Sequence, residues 1–180
     1  MTTVLQLAFR FLICSIAICV VSGGAARAGQ GRYLEVEEFL DVAFRGAQPE
    51  TAFLWIDDGL RARIEELIGH RFELLRVRYW RHADTTAWVL DEVGKDKPIT
   101  IGVTVVAAAV ENVRILEFRE SRGWEVRHAF FTDQFAGVRA SADRGLDRQI
   151  DGLTGATLSV AAVSRAVRLG LFLSEQIGST

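Results

Sequence analysis

The sequence predicts an α+β fold: an antiparallel sheet packed by a C-terminal helix, with a small N-terminal helical part. Three observations predict it. Apolar residues recur at helical spacing between positions 35 and 68. They alternate with polar ones in several runs between 72 and 120, then return in a mostly apolar helical stretch over 158–175. Sequential strands joined by short turns imply antiparallel pairing, and the combination belongs to the α+β class.

Each element has a local reason. Over 35–44, Val36, Phe39, Leu40, Ala43 and Phe44 mark one face of a short amphipathic helix, which Gly46-Ala47-Gln48-Pro49 ends. Asp57 or Asp58 can cap a second helix, with Leu60, Ile64, Leu67 and Ile68 on one face and Gly69 closing it. Phe72 to Trp80 alternates Leu75, Val77 and Tyr79 with Arg76 and Arg78, as a half-buried strand does. Thr85 to Val93 reads as a strand, Gly94 to Pro98 as a turn, and Ile99 to Ala107 as the next strand. Glu111-Asn112 then reads as the turn that sends Val113 to Glu120 back. Phe130 to Gly137 reads as a short helical turn. The final helix has only a narrow polar stripe of Ser164, Arg165, Arg168 and Glu175, so it should cross the sheet.

The chain has 180 residues and divides into a signal peptide over 1–28, an N-terminal helical extension over 29–70 and a main domain over 71–180. Arg10 supplies a positive start, Phe11 to Val21 an apolar run, and Ala26-Arg27-Ala28 a small-residue cleavage pattern. The expected destination is the periplasm, with membrane association if the segment is not cleaved. Removing it takes away Arg10 and Arg27 and no acid, moving the formal net charge from -2 to -4. That balance argues against nucleic acid as a partner. Both cysteines, Cys14 and Cys19, leave with the same segment. Disulfides, thiolate metal sites and iron–sulfur ligation are thereby excluded from the mature chain. His70, His82 and His128 are scattered, and no metal site is expected.

The stretch that carries chemistry is Asp151-Gly152-Leu153-Thr154-Gly155-Ala156-Thr157-Leu158-Ser159, immediately before the last helix. Free N–H groups and the positive dipole end at a helix start favour phosphate, and Gly155 and Ala156 allow close approach to the backbone. Asp and Thr before an apolar helix are also ordinary caps. The pattern alone leaves both readings open.

That segment resembles the D-x-x-[ST]-G-A-T flavinylation motif of the FMN-binding domain family, which includes the C subunit of sodium-translocating NADH:quinone reductase and the G subunit of the Rnf complex. Two further segments are similar to that family in the same order. Glu120-Ser121-Arg122-Gly123 resembles its E-T-x-G, and Gln134-Phe135-Ala136-Gly137 its Q-F-x-G. A serine commonly stands three places after the acceptor threonine; here Val160 stands there and Ser159 one place earlier. The resemblance spans about residues 90–175. It implies covalent FMN held through its phosphate on Thr157, with Asp151, Thr154, Gly155, Ala156, Glu120, Ser121 and Gly123 around the cofactor. It also implies an ApbE-type flavin transferase that uses magnesium, and a membrane or periplasmic redox partner. No catalytic residue is expected, because the resemblance implies an electron carrier rather than a stand-alone enzyme. A cofactor-free extracytoplasmic binding or interaction module of the same fold is the alternative.

Other residues have plainer readings. Trp124 could stack on a flavin ring or fill the core. Arg71, Arg76, Arg78 and Arg81 could meet a phosphate or an acidic partner, and alternation on an exposed strand face explains them more economically.

Overall fold

The computed structural model describes residues 31–178, and the expected export segment over 1–28 lies outside them. Six strands form one antiparallel sheet: β1 (Gly31–Arg32), β2 (Glu50–Trp55), β3 (Arg76–His82), β4 (Thr85–Val93), β5 (Pro98–Val106) and β6 (Ala109–Phe118). Their spatial order is β1-β6-β5-β4-β3-β2. The helices are α1 (Val36–Phe44), α2 (Asp58–Ile68), α3 (Ala129–Thr132) and α4 (Thr157–Gly178). This is the expected α+β class.

The sheet is covered on both faces. On one side α4 and α2 pack over Trp88, Ile101, Val103 and Ile115 in the larger core. On the other, α1 sets Phe39, Ala43 and Phe44 against Trp80, Ala87 and Leu116. α4 is long and apolar enough to cross a membrane by composition alone. Ala162, Val163, Ala166, Val167, Leu169 and Leu173 are instead buried against the sheet, so it serves as the core helix. Its distal end is tied to β4, where the Trp88 indole N–H donates to Ser174 Oγ at 2.8 Å.

Three local findings differ from the sequence reading. β2 lies between the two N-terminal helices and pairs with β3 over its whole length, so the segment before residue 70 adds two strands to the sheet. β3 begins at Arg76, not Phe72. The Glu65 carboxylate accepts the Phe72 N–H at 2.9 Å, the Arg61 guanidinium donates to the Phe72 carbonyl, and α2 thereby holds 71–75 as a loop. The β5–β6 turn is Ala107-Ala108, both left-handed at φ 47° and 61°. Glu111-Asn112 sits inside β6, where the register shifts between the pairs Thr104↔Asn112 and Val105↔Val110. The extra residue there, Glu111, makes a bulge.

Candidate functional site

One end of the sheet collects three loops. The β4–β5 turn, the segment after β6 and the start of α4 meet there around an open cleft of about 580 Å³. That volume lies within the range of small-molecule sites. Glu120, Ser121, Gly155, Ala156 and Thr157 line it, together with Lys95, Arg122, Leu158 and Ser159. Two segments more than thirty residues apart in sequence, 120–123 and 155–159, are therefore neighbours in space.

Gly123 makes that neighbourhood possible. Its φ is +87°, and a Cβ there would stand 2.3 Å from Ser159 Oγ and 3.5 Å from Ala156 Cα. Only a residue without a side chain lets the 120–123 loop rest directly on the first turn of α4. Ser159 is itself buried.

Glu120 works inward. Its Oε1 accepts three backbone N–H bonds, from Lys95 at 2.6 Å, Asp96 at 2.6 Å and Lys97 at 2.9 Å. Burial alone would push its pKa up, but the three amide donors, with Lys95 nearby, hold it below the ordinary carboxylate value. The side chain thus fixes the shape of the turn that carries Lys95 to the cleft. Beneath the same turn, Arg165 of α4 reaches the buried Glu92 at 2.9 Å and the Val93 carbonyl at 2.7 Å. His70 approaches Glu92 at 3.1 Å from the other side. Partial burial would lower the His70 pKa, yet its bonds to the Arg71 carbonyl and Glu92 raise it above the ordinary value.

The start of α4 is built without a side-chain cap. Gly155 takes φ +80°, the Ala156 N–H donates to Leu153 O at 3.0 Å, and the Ala156 carbonyl receives the Val160 N–H at 2.9 Å. Ala156 therefore occupies the capping position, where a methyl group can accept nothing. The N–H groups of Thr157, Leu158 and Ser159 have no acceptor among the described residues. Thr157 is exposed, and its hydroxyl has no hydrogen-bond partner among them. Three unsatisfied donors, an exposed hydroxyl, Lys95 and Arg122 thus share one cleft with a single buried carboxylate that is already engaged by amides. The arrangement favours an anion, and phosphate above all.

The remaining sequence-derived candidates take other positions. Asp151 and Thr154 are exposed and are not among the residues lining the cleft. Asp151 is reached from the third motif instead, its N–H donating to Gln134 Oε1 at 2.7 Å. Trp124 also lies away from the lining; Arg127 stacks over it at 4.7 Å and over Tyr33 at 4.5 Å, and His128 meets its edge. Arg76 and Arg78 lie over aromatic rings of the sheet face, while Arg81 pairs with Glu50. Lys95, Arg122 and Leu158 were missed by sequence reasoning. Lys95 lies in a turn, whose composition carries no signal for a ligand, and Arg122 occupies the variable place of its motif.

Residues 94–171 match the family model described as the FMN-binding domain. The match begins at the turn pinned by Glu120 and ends inside α4, so it takes in the whole cleft. No curated protein and no solved structure matches the chain.

Proposed function

We propose, on the premise that residues 94–171 match the FMN-binding domain model, that the protein is an exported electron carrier whose FMN is attached through its phosphate to Thr157. The observation that carries this reading is the uncapped start of α4, with three amide donors beside an exposed threonine hydroxyl. An ordinary apolar helix would place an Asp, Asn, Ser or Thr at the position that Ala156 holds, and that side chain would take up one of those donors itself.

The residues fit a flavin phosphate. The N–H groups of Thr157, Leu158 and Ser159 would receive its oxygens, with Lys95 and Arg122 adding positive charge at the cleft wall. Gly155 and Gly123 keep the approach open and hold the two loops together. The bound group would supply reversible uptake of one or two electrons. The protein's own part is to hold it and to set the charge around it. Among the described residues lining the cleft the one carboxylate is Glu120, and its Oε1 is already engaged by three backbone amides. An ApbE-type transferase with magnesium would therefore provide the activation. The threonine oxygen forms the new bond to the flavin-side phosphorus of FAD, the pyrophosphate bond breaks, AMP leaves, and the hydroxyl proton passes to the transferase or solvent.

Attachment has a physical use outside the cytoplasm. A dissociable cofactor would be lost by mass action where free flavin is dilute. The expected signal over 1–28 agrees with a periplasmic destination and a membrane or periplasmic redox partner.

The test is intact-mass measurement of the protein produced with and without a co-expressed transferase. The expected result is a gain of one FMN less one water, present only with the transferase and absent in Thr157→Ala. Unmodified protein despite an active transferase would leave the cofactor-free module as the reading.

A further inference from the structure

Large apolar side chains are exposed together at the same end of the sheet as the cleft. Leu75 is 71% exposed, Trp55 66% and Leu74 54%. Leu74 and Leu75 lie on the loop just before β3, and the Leu75 carbonyl accepts the Ile56 N–H at 3.0 Å, which keeps that loop beside Trp55. Trp55 stands opposite Arg76 and Phe53 opposite Arg78. The Arg76 guanidinium lies 4.3 Å from the Phe53 ring centroid and 5.4 Å from that of Trp55, and Arg78 lies 4.7 Å from Trp80. Neither arginine is paired with a carboxylate among the described residues. Most arginines elsewhere on the surface are.

We propose that this end of the sheet is a peripheral docking surface for an anionic phospholipid bilayer. The order of side chains along the strand axis argues for lipid over a flat protein partner. Outermost are the two leucines, ahead of the first residue of β3. Next come Trp55 and Arg76 in register. Two residues further in, roughly 7 Å along the strand, are Phe53 and Arg78. An apolar tip, an aromatic ring and then cations follow the sequence of acyl boundary, interface and phosphate layer. The guanidinium faces rest on rings while their N–H edges stay available to phosphate oxygens. Lys95 and Lys97, on the β4–β5 turn, face the same end. The nearby acids are partly engaged: Asp57 caps α2 at 2.7 Å, Glu73 leans on Arg71 at 3.8 Å and Asp96 on Lys95 at 3.7 Å.

β5, which borders the cleft, is three strands from β2, roughly 14 Å. Docking by this end would hold the open cleft at the height of the headgroups. The surface does not depend on a flavin at Thr157, so either reading can fail without the other.

The test uses the full chain with vesicles of phosphatidylcholine, or of phosphatidylcholine and phosphatidylglycerol, that carry brominated acyl chains. Tryptophan quenching reports the depth of Trp55. The expected result is quenching that is stronger in anionic vesicles and is lost in Trp55→Tyr. Vesicle affinity should fall roughly ten-fold in Leu74→Ser/Leu75→Ser, and Arg76→Gln/Arg78→Gln should remove the preference for phosphatidylglycerol. Quenching that survives all three variants would place any membrane contact elsewhere, including the N-terminal apolar segment, and would overturn the proposal. So would absence of quenching in the wild type. Lipid-free self-association abolished by the same substitutions would assign the surface to a second copy of the chain, and would also overturn it.

Discussion

The Asp151 backbone N–H donates to the Gln134 side-chain oxygen at 2.7 Å. The third motif of the chain thereby holds the first residue of the segment that ends at Thr157. The bond is exposed, so its worth in stability is small, about 0.5–1 kcal/mol. Its structural effect is larger, because 151–155 is a loop with few other ties. Gln134→Ala should leave the melting temperature nearly unchanged while lowering the fraction of chains that accept flavin from the transferase. Mass spectrometry at a fixed reaction time, beside a melting curve, separates the two effects.

Gly123 and Ser159 should be energetically coupled. Gly123→Ala imposes a left-handed conformation on alanine, at a cost of about 1 kcal/mol, and drives a methyl into Ser159 Oγ. A total loss of roughly 2–4 kcal/mol is expected. Adding Ser159→Ala removes the oxygen and should recover part of it, leaving the backbone cost. Urea unfolding of the two single variants and the double variant closes the cycle; additive losses would show that the contact does not govern the cleft.

Much of this was legible in the sequence, for identifiable reasons. α1, α2 and α4 announce themselves by period and by their ends: Asp57 caps α2 through the Leu60 N–H and Gly69 closes it. The bounds of β4 are legible because turn residues flank it. β2 has no strand signature because its sequence, Thr51-Ala52-Phe53-Leu54-Trp55, lacks polar alternation: Ala52 and Leu54 pack half-buried on the larger core, while the equally apolar Phe53 and Trp55 are exposed on the other face of this edge strand. The three motifs were visible as strings. Their assembly was not, since it depends on contacts such as Gly123 against Ser159 that join distant positions. Nor could a sequence show that Glu120 binds backbone amides, because amides carry no residue signature.

Acid should loosen the β4–β5 turn. The Glu120 pKa is lowered on folding, so its contribution is fully present above its unfolded value and is lost as pH falls through the folded one. Stability of the wild type should therefore drop as pH falls below about 4.5, the ordinary value of the group. Glu120→Gln should flatten that part of the profile and cost roughly 1–2 kcal/mol at neutral pH, where charge-assisted bonds become neutral ones. Denaturant titrations at several pH values measure both.

The β5–β6 turn is held in a conformation that alanine disfavours, with Ala107 and Ala108 both at positive φ. Replacing them with Ala107→Asn and Ala108→Gly supplies the residues that two-residue hairpin turns prefer. The expected outcome is a gain of about 1 kcal/mol, read as a higher denaturant midpoint at unchanged slope. Flavin attachment should be unaffected, because this turn lies at the other end of the sheet from the cleft.

Attachment at one oxygen is tested most directly by fragmenting the tryptic peptide 149–165 from protein made with the transferase. The peptide carries Thr154, Thr157, Ser159 and Ser164, so localisation among them is a real choice. The flavin phosphate is expected on Thr157 alone. An adduct on Thr154 or Ser159, or a bare peptide from cells with an active transferase, would contradict the role assigned to the uncapped start of α4.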